Sequence, residues 1–258
     1  MTETIFNLEK IEYTYQDSAK KVLHDISLDI PKSVITALLG PNGSGKTTLM
    51  DILLGWKKTN TGRVLVKGKD LSSYSRRERS KLISLVPQNE PLQFAFTLLD
   101  YVLFGRAPYI PQLGIPGKKD IEIAFAALET VGLQELHGRS ITSLSGGERQ
   151  LIMLARSLAQ QPEILLLDEP TSSLDPGNTE KVLDILNELG NSGLTIIFST
   201  HDPSAAAQIA NYIVMLRRGK IYRADKSNYL LTSENLTNLY GANLKVTHVG
   251  ESIIIYRD

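Results

Sequence analysis

The sequence contains no cysteine among its 258 residues. Disulfides, thiol nucleophiles and cysteine metal sites are therefore excluded. Histidine is scarce as well. His24, His137, His201 and His248 lie far apart, with no metal-ligand spacing between them. Neither sign of charge prevails, because 28 Lys and Arg balance 28 Asp and Glu. No whole-chain attraction to nucleic acid or to an anionic membrane is expected. No apolar run approaches the roughly 20 residues that span a bilayer. The opening MTETIFNLEK lacks a basic segment followed by an apolar core, so no secretory signal is expected. Work at a membrane would need spans supplied by other subunits. Internal repeats and low-complexity tracts are missing too. What remains is an ordinary globular composition, 42% hydrophobic and 22% charged, long enough for one large domain or two small ones around a buried core.

The first third reads mostly as strands and turns. VITALLG (Val34 to Gly40) is a short apolar run ending in glycine. In the following GKTTLMDILLGW, Leu49, Ile52 and Leu53 fall on one helical face. The order is strand, glycine-rich turn, helix. ISLVPQ (Ile83 to Gln88) predicts a second short strand, stopped by Pro87. From about Phe94 to Gln160 the pattern turns helical, in TLLDYVLFG and IEIAFAALETVG. The Pro- and Gly-rich GRAPYIPQLGIPGKK between them predicts a loop. EILLLDE (Glu163 to Glu169) and TIIFSTHD (Thr195 to Asp202) are continuous apolar runs that end in polar residues. Such runs alternating with helices predict a parallel sheet covered on both faces. Ligands in such sheets sit at the carboxyl ends of the strands, where Gln88, Asp168, Glu169 and His201 would gather.

GPNGSGKTT fits the P-loop pattern with Gly40, Pro41, Asn42, Gly43, Ser44, Gly45, Lys46, Thr47 and Thr48. Its glycines let backbone N–H groups turn inward around phosphate oxygens, and the following helix adds its positive end. Lys46 would reach the β- and γ-phosphates of a nucleotide, and the Thr47 hydroxyl would ligate Mg²⁺. The ILLLDE strand would deliver Asp168 to the Mg²⁺ region, either directly or through water. Glu169, one residue further on, could accept a proton from an attacking water. LSGGERQ (Leu144 to Gln150) has Ser145 three residues before Glu148, a capping-box pattern. Capping alone does not account for Gly146 and Gly147, since glycine in a first helical turn costs up to about 1 kcal/mol against alanine.

Both P-loop and acidic strand, with LSGGERQ between them, resemble the ATP-binding cassette (ABC) ATPases, the motor subunits of ABC transporters. The resemblance covers nearly the whole chain, in order. It implies a P-loop, RecA-like parallel-sheet core with an N-terminal antiparallel β subdomain and an inserted helical subdomain. The β subdomain and core would occupy about 1–90 and 161–225, the helical subdomain about 91–160, and a short C-terminal extension about 226–258, within one ATPase domain. LSGGERQ resembles the family's signature, which acts in trans: Ser145, Gly146, Gly147 and Glu148 would close on the ATP held by a second subunit's P-loop. SSLD (Ser172 to Asp175) resembles the D-loop, with Asp175 linking the two sites. Gln88 resembles the Q-loop glutamine, organising Mg²⁺, and His201 the switch histidine that contacts the γ-phosphate. Tyr15 resembles the aromatic residue that stacks on adenine, with Tyr13 a rival by position.

The same resemblance implies a homodimer around two ATP molecules with Mg²⁺, working with polytopic membrane permeases at the cytoplasmic face of the cell membrane. The segment NEPLQFAFTLLDYVLFGRAPYI is aromatic and apolar. Phe94, Leu98 and Leu103 are expected mainly in the helical core. Exposed Phe, Tyr and Arg around them would suit the permease's coupling helix. FGRAPYI and the late LTSENLTNLYG resemble importers of siderophore-iron, haem or vitamin B12, or of molybdate-type oxyanions, which also use an external binding protein. The chain stops soon after, leaving no room for a large regulatory domain. The alternatives are a soluble cassette in cofactor assembly and a DNA-maintenance ATPase. The latter normally carries a long coiled-coil insertion, and here the interval between P-loop and signature is about a hundred residues with a proline-rich loop.

Overall fold

The chain sorts into two compact units, Met1–Tyr74 with Leu189–Asp258 and Ser75–Glu188. Both come from a computed structural model, which describes residues 3–16, 20–91, 94–250 and 252–257. Leu92 and Gln93 of the aromatic segment lie outside the described residues.

The first unit holds an antiparallel sheet and a mostly parallel one. In the antiparallel sheet the strand Thr4–Thr14 sits between Lys21–Pro31 and Thr61–Val66, and the short Lys69–Asp70 pairs with the last of these. Alternation shows along Lys21–Pro31, where Ile26, Leu28 and Ile30 are buried while Asp25, Ser27 and Asp29 are exposed, and Phe6 and Leu8 are buried on the neighbouring strand. In the other sheet the strand Ile35–Leu39 is flanked in parallel by Thr195–Thr200 on one side and Tyr212–Arg217 on the other. Lys220–Lys226 closes the edge antiparallel to Tyr212–Arg217. All five residues of Ile35–Leu39 and all six of Thr195–Thr200 are buried, as expected for strands covered on both faces. The helix Lys46–Leu53 buries Leu49, Ile52 and Leu53, the face that the spacing predicts.

The second unit pairs Ile83–Val86 with Ile164–Asp168 in parallel, Val86 opposite Leu167. Three helices, Leu98–Leu103, Lys118–Thr130 and Gly146–Ala159, pack on one another. The helix Arg76–Leu82, which starts on a Ser75–Glu78 capping box, has no counterpart among the sequence expectations. Its capping pattern was the available signal. The architecture is thus mixed α/β, with a parallel sheet, an antiparallel β subdomain and a helical subdomain, as the sequence leads one to expect.

Two expectations about the aromatic segment are corrected. Phe94 is 70% exposed rather than in the helical core, while Leu98 is fully buried and Leu103 half-buried. Arg106 is buried rather than exposed. Its Nε donates to Asp120 Oδ1 at 2.9 Å and its Nη1 to the Ala159 carbonyl at 2.8 Å and to Gln161 Oε1 at 3.1 Å. The Tyr109 ring covers the guanidinium at 4.0 Å. The arginine therefore ties the proline-rich loop to two helices, and its bond holds the Asp120 carboxyl below the ordinary carboxylate range. Arg106→Ala leaves the Ala159 carbonyl without this donor and a half-covered carboxylate without its cation. It is expected to lower unfolding stability by about 3 kcal/mol. A fall in the urea midpoint with unchanged slope checks this.

Candidate functional site

The loop after Ile35–Leu39 is shaped for an anion. Gly43 and Gly45 stand at φ +75° and +106°, backbone conformations that L side chains rarely adopt. Gly45 is also the N-cap of the Lys46–Leu53 helix. Successive N–H groups at such a turn, followed by a helix N-terminus, form an anion-binding concavity. Lys46 is buried, and its Nζ donates to the Gly40 and Pro41 carbonyls at 2.8 and 3.4 Å. The ammonium is thereby held on the loop itself. The Ser44 hydroxyl is buried and has no hydrogen-bond partner among the described residues. A buried hydroxyl without a partner is costly, and a phosphate oxygen would satisfy it. The donor set therefore fits a nucleotide phosphate.

Neighbouring strands hold this loop in place. The Gly40 N–H donates to the Thr200 carbonyl at 3.3 Å, and the Gly219 N–H donates to the Ser44 carbonyl at 3.0 Å. His201 directly follows Thr200. Because Ile35–Leu39 and Thr195–Thr200 run parallel, the P-loop and His201 emerge at the same end of the sheet. Asp202 then caps the helix Pro203–Ile209 by accepting from the Ser204 N–H at 2.8 Å. Tyr15 joins the same unit from the antiparallel sheet. Its hydroxyl meets Thr48 Oγ1 at 3.0 Å, and its ring lies edge-on to Tyr13 with centroids 5.1 Å apart. Tyr15 is exposed. Of the two tyrosines, Tyr15 is the one bonded to the P-loop helix.

The second unit carries the remaining candidates. Asp168 ends the buried strand Ile164–Asp168, and Glu169 follows with φ +49°. A left-handed conformation in a non-glycine residue is strained and clusters at functional sites. Gln88 Nε2 donates to Ser172 Oγ at 3.2 Å, which links the segment after Ile83–Val86 to the SSLD stretch. Asp175 caps the helix Pro176–Asn191, accepting from the Asn178 N–H at 2.9 Å and from Asn178 Nδ2 at 2.6 Å. Those bonds hold its carboxyl below the ordinary range.

LSGGERQ starts the helix Gly146–Ala159 on a complete capping box. The Glu148 N–H donates to Ser145 Oγ at 3.3 Å, and the Ser145 N–H donates to Glu148 Oε2 at 2.8 Å. The backbone bond from Ser145 lowers the Glu148 pKa, with its hydroxyl and Arg139 acting in the same direction. The two glycines differ. A Cβ on Gly147 would lie 2.4 Å from the Asn178 side chain, whereas a Cβ on Gly146 would meet nothing within 4 Å. Packing within the chain explains the second glycine and not the first. Asn178 was not among the sequence candidates, because its partner is reached only through the fold.

The chain matches the ABC transporter family model over residues 23–172, more than half its length. It belongs to the ABC transporter ATP-binding family. The cassette is an ATPase domain coupled to transport. It is 37% identical over 251 residues to the "Probable iron chelatin transport ATP-binding protein" of Helicobacter pylori (strain J99), covering 96% of this chain and 98% of that one. It is 37% identical over 235 residues to the molybdate import ATP-binding protein MolC of Haemophilus influenzae, covering 91% and 87%. A solved structure of a metal-chelate type ABC transporter in an inward-facing conformation matches with a TM-score of 0.85 at 35% identity, covering 98% of this chain and 96% of that one. Among the described residues no helix is long and apolar enough to cross a membrane.

The expected stacking of Tyr15 on adenine has a direct test. Stacking on a base is worth about 1–3 kcal/mol, so Tyr15→Ala should weaken ATP and GTP binding alike in fluorescence titrations. Tyr13→Ala, which removes a neighbour of the platform, should weaken them less. The reverse ranking would move the contact to Tyr13.

Proposed function

We propose that the cassette is the ATP-hydrolysing subunit of an importer, a homodimer closing around two ATP molecules. In this reading it drives uptake of a metal chelate (siderophore-iron, haem or cobalamin) or a molybdate-type oxyanion. The observation that carries the nucleotide reading is the P-loop donor set, above all the unpartnered Ser44 hydroxyl beside Lys46. The importer reading rests on the similarity to iron chelatin and molybdate ATP-binding proteins and to a metal-chelate transporter. Membrane spans would come from separate permease subunits, with an external binding protein upstream and the cassette peripheral at the cytoplasmic face. Residues 1–258 would act as one ATPase domain.

The residue roles follow from chemistry. Lys46, Ser44 and the loop N–H groups bind and orient the phosphates. Thr47, Gln88 and Asp168 would hold Mg²⁺, Asp168 directly or through water; when bound, the ion neutralises phosphate charge. Glu169 takes the proton of the attacking water, and His201 contacts the γ-phosphate. Ser145 and the N–H groups of Gly146 and Gly147 would approach a γ-phosphate held by the partner subunit, helped by the helix N-terminus. The open space around Gly146 supports an outside group at that position. Asp175 would connect the two sites. Phe94, Phe96 and Phe104 form an exposed aromatic cluster, with Phe96 and Phe104 edge-on at 5.1 Å, suited to a permease coupling helix.

Glu169→Gln keeps the shape of the side chain and loses the base. It should bind ATP normally, hydrolyse it at least about 100-fold more slowly, and elute as an ATP-dependent dimer in size-exclusion chromatography. Near-normal turnover would remove Glu169 from the role of base.

The trans arrangement is tested by mixing two inactive variants. Lys46→Ala damages the P-loop. Gly146→Glu puts bulk and negative charge at the start of the signature helix, where a Cβ meets nothing within 4 Å in its own chain. In a mixed dimer both lesions fall in one site and the other site is intact. Mixing should restore up to about half the ATPase activity per dimer if the sites act independently. If the signature served its own chain, every site would keep one lesion and mixing would restore nothing. A dimer that requires both sites for turnover gives the same silence. Photo-crosslinking from an ATP analogue held in the intact site separates these cases, because only the trans arrangement labels the signature segment of the other chain.

A further inference from the structure

The geometry points to Tyr240 as a positioning residue for His201, with the C-terminal helix and hairpin as the brace that holds the His201 loop. The inference rests on the role proposed for His201. Tyr240 donates its hydroxyl hydrogen to the His201 backbone carbonyl at 2.8 Å, across 39 residues of sequence. The helix that carries it, Ser233–Tyr240, is itself firmly placed. Thr232 caps it by accepting from the Asn235 N–H at 3.2 Å, Leu236 and Leu239 are buried, and Asn235 Nδ2 donates to the Leu230 carbonyl at 3.0 Å. Gly241, at φ +68°, ends it immediately after Tyr240.

The hairpin completes the brace. Its first strand, Leu244–Val249, is tied to the helix by two bonds. The Leu244 N–H donates to Thr237 Oγ1 at 3.1 Å, and the Val246 N–H donates to Ser233 Oγ at 2.9 Å. Its second strand, Ser252–Arg257, packs on the helix Pro203–Ile209, which begins two residues after His201. One segment therefore grips both sides of the His201 loop: the carbonyl of the histidine through Tyr240, and the helix behind it through the hairpin. His201 itself is exposed. A side chain on an exposed loop keeps a productive geometry only if its backbone is fixed, and a displacement of about 1 Å in a positioned group can cost on the order of 100-fold in rate.

The test removes one atom. Tyr240→Phe deletes the hydroxyl and keeps the ring that packs. A typical net hydrogen bond corresponds to about a 2- to 12-fold effect. The expected result is a kcat lower by that factor, a KM for ATP within about 2-fold of wild type, and an unfolding midpoint close to wild type. In ¹H–¹³C spectra of the four imidazoles, the His201 signal, assigned by its loss in His201→Ala, should shift or broaden while that of His137 stays put. Unchanged kcat and an unchanged His201 signal in Tyr240→Phe, beside a large loss in His201→Ala, overturn the brace and leave the role of His201 standing. A parallel loss of kcat, ATP affinity and stability also overturns it, because that pattern marks a merely structural tyrosine. Full turnover in His201→Ala overturns the role of His201 and, with it, any positioning for catalysis by Tyr240.

Discussion

Parallel pairing along both edges of the strand Ile35–Leu39 constrains everything around the P-loop. The strand has no exposed side chain and no free edge, since Thr195–Thr200 and Tyr212–Arg217 occupy both sides. Both edges are committed to ladder bonds, so a slip in register would break pairing on two sides at once. The end of the strand then decides where Gly40 goes. Bonds from Gly40 to Thr200 and from Gly219 to Ser44 fasten the loop to the strands on either side. The loop is thus tied to paired strands at both of its ends.

Parallel direction has a second consequence. Strands that run the same way release their following loops at the same end, so His201 is delivered beside the P-loop without any specific attraction between them. What keeps His201 oriented must then come from elsewhere. The C-terminal helix supplies a hydroxyl to its carbonyl, and the hairpin supplies packing behind it. A segment that looks like a short tail in sequence is thereby part of the frame of the site.

The signature segment illustrates how one motif serves two purposes. Ser145 and Glu148 close a capping box that any helix could use. The glycines separate the purposes. Gly147 is required by Asn178 of the same chain, and Gly146 is required by nothing nearby in it. The open space at Gly146 is what supports the contact with a second subunit proposed for this segment.

Much of this was legible in sequence, for a physical reason. The P-loop, the buried strands and the capping box are local: turn chemistry, apolar runs and cap spacing act over a few residues, and each is written in contiguous letters. The buried face of Leu49, Ile52 and Leu53 follows from helical periodicity alone. Exposure and long-range contact are different in kind. Phe94 has the composition of a core residue and lies open, and Arg106 has that of a surface residue and is buried, because each depends on which elements cover it. The same holds for Asn178 against Gly147 and for Tyr240 on His201. Neither partner carries a local signal of the other. By itself the sequence determined the chemistry available to the site, phosphate-binding N–H groups, an ammonium, carboxylates and a histidine, since those are properties of residue type and short spacing. Only the tertiary structure decided which of them are held, by what and how firmly, because that is settled by the packing of segments distant along the chain.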